Sequence, residues 1–502
     1  MATSLRERWQ RPPRLRTVGA EDEERHATWL ELFFDLVFVI CIAEVVHTLE
    51  DDRTLGGFLG TAGLFVPIWW AWVGYTVYAD RFDTDDLLHR VLVLAGMLAV
   101  IAMALSVHDA LHGGSARFAL TYVAVRTVVL LLNARARRHA APARPLLNLY
   151  LAAFTASAAL WLVSVLVPEP YRYLLWAVGT TIELSAPWLG RRQIAQAPIH
   201  ASHMTERYGL FTLIVLGESV ISVAQGAAGV DWEPGTLAVA LTGFLVVACL
   251  WWIYFEYISG LANRSVLQGL CFNYAHLPLL AGLVSVALGI ELAVVESAAH
   301  ELERATAMAL GGGTALYLLA LTALHAATGH SISDRVLWLR LGSAVVALAI
   351  GVFGPLGAPL GLVGLLAVLL VAHVAAETVL QHRAAYSTAS PTCWGSSPTS
   401  ARRISATSWR WPRRPRRSAS TPRWCSAGRA PSAPSRPGCT SGSAPSATGS
   451  CSGRTSPPCR GSSRASSAAW QRSAWARSGC GRCCGATAPA CSAWTPTPTA
   501  EG

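Results

Sequence analysis

No lysine occurs anywhere in the 502 residues. That absence excludes a phosphate-binding loop of the Gly-rich kind that ends in Lys-Ser/Thr. Charge of either sign is scarce, at 14% of residues, while 52% are hydrophobic and the mean hydropathy is +0.38. A soluble domain of this size carries more charge. Only Cys41, Cys249 and Cys271 precede residue 385, and no His/Cys cluster with zinc spacing stands there. The first 28 residues are Arg-rich and lack a short apolar core followed by a cleavage site, which argues against a cleaved signal peptide. A nucleophile–base pair for an intramembrane enzyme is missing as well. No catalytic, metal or cofactor site is therefore expected.

The last 118 residues lack Leu, Val, Phe and Met, so they cannot build a core. Of them, 114 are Ser, Pro, Thr, Ala, Cys, Arg, Trp or Gly, whose codons all have C or G in the middle. This is what a GC-rich gene yields out of frame, and it predicts a reading-frame break near Ala384–Ala385. Rival readings are a disordered Arg/Ser/Pro tail for nucleic acid or anionic lipid, and a zinc site at Cys480, Cys483 and Cys484. The tail also owns the basic balance. Residues 385–502 hold 16 Arg and one acid, whereas residues 1–384 hold 24 Arg and 29 acids. The net charges of +15 and −5 sum to the +10 of the whole chain. With the charge confined there, nucleic acid is not an expected partner of the body.

What is present is a series of apolar runs long enough to cross about 30 Å of hydrocarbon. They predict an all-α, polytopic membrane helix bundle with spans at 29–49, 55–79, 87–107, 116–134, 146–167, 171–190, 208–229, 235–258, 270–295, 305–326, 335–353 and 355–380. Residues 1–28 form a basic N-terminal segment and 29–383 the transmembrane domain. With the N-terminus cytoplasmic, inner segments carry 19 Arg and outer ones 4, the direction of the positive-inside rule. The expected location is the inner (plasma) membrane, with both ends of the twelve spans inside.

Short matches about 182 residues apart suggest a parallel repeat of six helices, with halves 24–192 and 206–383. Glu24-Arg25 matches Glu206-Arg207, and Trp69-Trp70 matches Trp251-Trp252. In secondary transporters built this way, sites lie between the halves. The Trp-rich stretches also fit either an aromatic interface belt or helix packing. Small residues in "LGGGT" and "GLVGLL" fit close helix contacts.

The spans keep ionisable groups where a charge costs about 2.5–3.5 kcal/mol at the helix centre. Span 1, "WLELFFDLVFVICIAEVVHTL", places Glu31 and Asp35 on one face and Glu44 and His47 on another. Arg126 lies midway along span 4, Glu183 in the inner half of span 6, and Glu218 about 15 Å into span 7. His276 is in span 9, while Glu256, Glu291 and Glu377 read as interfacial. Arg126 facing Glu218 or Asp35 would lower the cost of burial. Two readings stand: a polar pathway in which Asp35, Arg126 and Glu218 carry protons or coordinate a cation, or interhelical bonds that fix packing. Glu31, Glu44, His47 and His276 lean to packing.

The stretches "WLELFFDLVFVICIAEVVH" and "ERYGLFTLIVLGESV", with "WWIYFEY" and "YAHLPLLAGLVSVALGIE", resemble the bacterial low-temperature-requirement A family of integral membrane proteins over residues 26–384. The family-like polar positions are Glu31, Asp35, Glu206, Arg207, Gly217, Glu218 and Ser219. The resemblance implies a role in growth in the cold. Together these observations predict a secondary transporter or ion-conducting protein for a small solute or ion. The alternative is a non-transporting protein that supports the envelope under stress.

Overall fold

The structure, a computed structural model, describes residues 11–16, 27–197, 199–228, 233–258, 265–299, 301–327, 334–355 and 357–388. The proposed zinc cysteines and almost all of the tail lie outside them, as does Glu24-Arg25. Twelve long helices run through the described residues: α1 (Trp29–Asp51), α2 (Leu55–Arg81), α3 (Leu87–Ala104), α4 (Ser115–His139), α5 (Arg144–Ser164), α6 (Tyr171–Leu189), α7 (Ala201–Ala228), α8 (Pro234–Ile258), α9 (Val266–Glu296), α10 (Arg304–Ala327), α11 (Arg335–Phe353) and α12 (Pro359–Thr388). Eleven are long and apolar enough to cross a membrane. The exception is α6, whose 19 residues include Arg172, Glu183 and two threonines.

The helix starts follow local chemistry. Thr28 caps α1 and forms a reciprocal capping box with Glu31, while Thr54, Ser265 and Asp334 cap α2, α9 and α11 through their side chains. The largest departure at a helix start is α7, which begins seven residues before the predicted 208. Its first two turns carry His203 and Arg207, which a hydropathy window rejects, yet both are buried.

Helix α9 is the centre of the bundle. It is predominantly apolar with few polar side chains, and 83% of its spanning stretch is buried, as expected of a helix enclosed by neighbours. It packs against α7, α10 and α1, and α10 packs on against α11. These approaches need small residues, as "LGGGT" led one to expect. A Cβ on Gly311 would stand 2.5 Å from the Ala347 carbonyl oxygen, and one on Gly313 would stand 2.8 Å from that of Gly282. On the outside, leucines and valines such as Leu36, Leu98, Leu241 and Val368 are exposed, the surface a bilayer covers.

The tryptophan pairs behind the expected repeat occupy unlike places. Trp69 and Trp70 are core residues, whereas Trp251 and Trp252 are 43% and 48% exposed. Packing therefore accounts for the α2 aromatics. Part of the N-terminal segment is also built into the fold: Arg14–Leu15 (β1) pairs antiparallel with Phe82–Asp83 (β2), just beyond α2. Three of the 19 arginines counted as inner loop charges lie inside the bundle instead. Arg81, Arg207 and Arg340 are buried in α2, α7 and α11, leaving 16 against 4.

Candidate functional site

Burying a charge in a bundle requires a partner, so the buried charges trace the polar framework. The largest cluster joins α1, α2 and α7. Glu31 and Asp35, four residues apart, turn one face of α1 toward Arg207 of α7. Arg207 Nη2 donates to Asp35 Oδ1 at 2.6 Å and to Thr76 Oγ1 at 3.3 Å. Its Nη1 lies 3.4 Å from Glu31 Oε2, an ion pair without hydrogen-bond alignment. Trp72 Nε1 donates to the same Asp35 oxygen at 2.7 Å. Asp80, near the end of α2, faces His203: Nδ1 is 2.7 Å from Asp80 Oδ1, and Nε2 is 3.2 Å from Glu31 Oε2. The His200 backbone N–H donates to the second Asp80 oxygen at 2.8 Å.

That geometry has a chemical consequence. A neutral imidazole has one N–H and can donate to one carboxylate only. Filling both contacts of His203 takes one further proton, on the ring or on a carboxyl. Glu31 and Asp35 face Arg207, and Asp80 joins them through His203. The imidazole thus bridges a carboxylate of α1 and a carboxylate of α2.

Two further pairs are closed off. Arg126 of α4 forms an ion pair with Glu183 of α6, both fully buried. Tyr122 links them, accepting from Arg126 Nε at 2.9 Å and donating to Glu183 Oε2 at 3.0 Å. The expected pairing of Arg126 with Glu218 or Asp35 is therefore incorrect: α6 supplies its partner, and Asp35 already has Arg207. In the last two helices Arg340 pairs with Glu377, which also meets His373 Nε2 at 3.1 Å. Arg340 lies over the Tyr257 ring at 4.4 Å. Glu377 is thus buried and paired, not interfacial, and Glu291 is likewise buried. Glu256 is exposed, as its place near a helix end suggested.

Glu218 is buried in α7 and has neither Arg126 nor Arg207 beside it. Glu44 and His47 are half-buried in the far half of α1, where His47 Nδ1 is 3.8 Å from Glu50. Glu206 is half-buried, whereas Arg207 is fully enclosed. His276 is a packing histidine. Its Nδ1 donates to the Phe272 carbonyl at 2.6 Å, which leaves Nε2 to accept from the Tyr254 hydroxyl at 3.0 Å.

Beside the Arg207 cluster lies a cleft of about 380 Å³, within the roughly 300–1,000 Å³ of ligand sites. The two share α2 and α7: Val77, Tyr78 and Arg81, with Ala201 and Met204, line the cleft. Other walls come from α4, α5, α6 and α9. Glu218 is absent from its lining. Asp80 and His203, which sequence reasoning passed over, are the residues that bring the polar cluster to this end of the bundle.

A membrane-embedded bundle of apolar helices that encloses buried ion pairs and a cleft defines a polytopic integral membrane protein. The family described as Bacterial low temperature requirement A protein (LtrA) matches residues 26–375, and the chain belongs to it. A curated relative, Uncharacterized protein RA0937 of Rhizobium meliloti (strain 1021), is 29% identical over 316 residues, covering 59% of this chain and 76% of the relative.

Proposed function

We propose that this protein is a secondary transporter of the inner membrane, with its N-terminus cytoplasmic. Protonation of the Glu31–His203–Asp80 group is coupled to movement of a small solute. The observation that carries this reading is a buried carboxylate–imidazole–carboxylate chain next to a ligand-sized cleft. Both adjoin the contact of α2 with α7, and if 24–192 and 206–383 are two repeated halves, that is the kind of place transporters of two-half construction use. Arg207 holds the two carboxylates of α1 against α7, and a change of proton occupancy alters how strongly the two halves attract each other. The centre of this proposal is accordingly the Arg207 cluster; Glu218 lies outside the cleft.

A second reading, a non-transporting protein that supports the envelope in the cold or under stress, draws on Arg126–Glu183 and Arg340–Glu377. Each is sealed within one half and serves packing. Flux of labelled solutes into proteoliposomes under an imposed pH gradient separates the two. On the transport reading the wild type accumulates at least one solute class, and His203→Gln abolishes the dependence on the gradient while the protein remains folded. Background flux for wild type and variant alike across a broad panel favours the second reading.

A further inference from the structure

Among the described residues four arginines are buried in the bundle, and three of them meet a carboxylate: Arg126 with Glu183, Arg207 with Asp35 and Glu31, Arg340 with Glu377. Arg81 does not. It is 3% exposed, yet among the described residues no carboxylate lies within ion-pair distance of it. Its Nε donates to the Ala197 carbonyl at 3.1 Å, and its guanidinium carbon is 6.0 Å from the centre of the Tyr150 ring. Both neighbours are neutral. Asp80, next in sequence, points about 100° away around the helix and is engaged by His203.

Arg81 lines the cleft, whose lining contains no Asp or Glu. Around it stand Val73, Phe154, Pro187 and Leu270, all apolar. Helix α9 begins at the cleft as well, with Ser265 and Val266 in its wall, so the partly positive end of its dipole stands there. A buried cation without a counter-charge is costly. A carboxylate entering the cleft would supply the missing charge to Arg81.

From this we infer that the cleft binds a small organic monocarboxylate, with its acid group on Arg81 and its apolar body against the aromatic and aliphatic wall. The inference takes its purpose from the transport reading, but binding is measured without it. Isothermal titration of the full chain in detergent would compare benzoate with benzyl alcohol and benzylamine, which share the ring and differ in charge. Benzoate should bind at least tenfold tighter than either, and Arg81→Gln should abolish that preference while Arg81→Lys retains part of it. Should the Arg81 variants fail to fold, the wild type alone decides, because benzoate must still outbind the uncharged and the cationic ring compounds. Equal affinity for benzoate and benzyl alcohol in the wild type, or an unchanged preference in Arg81→Gln, overturns the inference. So does binding of oleate with none of benzoate, which would assign the cleft to acids of the bilayer. Selective benzoate binding without flux in proteoliposomes keeps the site and removes the transporter. Gradient-driven flux of uncharged solutes alone does the reverse.

Discussion

Arg207 holds two carboxylates in a buried site, so its removal gives the sharpest test of the polar framework. In Arg207→Met, Asp35 keeps only the Trp72 donor, and Glu31 keeps the Thr28 backbone N–H and His203. Breaking a buried pair from one side costs about 3–5 kcal/mol, because the remaining charge is stranded. Asp35→Asn retains an acceptor for Trp72 and Arg207 and leaves Glu31 as counter-charge. Its cost should be that of a charged hydrogen bond, about 1.5–3 kcal/mol. Once Arg207 is gone, the charge on Asp35 is a liability, so the double variant should lose less than the sum of the two singles. The expected coupling is about 1.5–3 kcal/mol, in the range found for residues in direct contact. Unfolding in mixed detergent–dodecyl sulfate micelles, followed by tryptophan emission, reads all four proteins. Trp72 itself reports on the Asp35 environment, since its indole N–H bonds the carboxylate. Additivity to within about 0.5 kcal/mol would mean that the pair carries no interaction free energy and that the framework argument is wrong.

The same unfolding assay checks three further outcomes. Glu183→Gln leaves Arg126 as an unpaired cation in a dry pocket and should cost about 3–5 kcal/mol; a loss under 1 kcal/mol would mean that water reaches this pair. Gly311→Ala forces a methyl group into the α10–α11 contact and should cost about 1–3 kcal/mol, with Gly312→Ala, whose Cβ would meet only Met308 at 3.8 Å, near neutral as the control. Thr28→Ala removes the capping box of α1 and should cost about 1 kcal/mol.

The reach of sequence reasoning differs sharply between elements and partners. Helix placement was legible because burial in hydrocarbon imposes a run length, and α11 falls on the predicted 335–353. Glu31 and Asp35 were legible as a shared face because a four-residue spacing fixes it. Partner choice was not. Arg126 could have met any carboxylate at its depth, and only the order of helices in the bundle selects Glu183 over Glu218. His203 was hidden for another reason: it lies in the polar opening of α7, which resembles a loop until its neighbours bury it. Asp80 was masked by its aromatic surroundings in "VGYTVYADRF". The unpaired state of Arg81 is a property of the assembled cleft, and no local pattern announces it.

Glu31 Oε2 is a single atom that receives the Thr28 amide at 3.1 Å, the His203 ring at 3.2 Å and the Arg207 guanidinium at 3.4 Å. The winding of the first turn of α1 and the charge state of α7 therefore compete for the same lone pairs. A change at His203 therefore reaches the first turn of α1 through one shared oxygen. Amide exchange at Thr28 should thus differ between the wild type and His203→Gln at equal pH, making the entrance of the first helix a readout of a side chain one helix away.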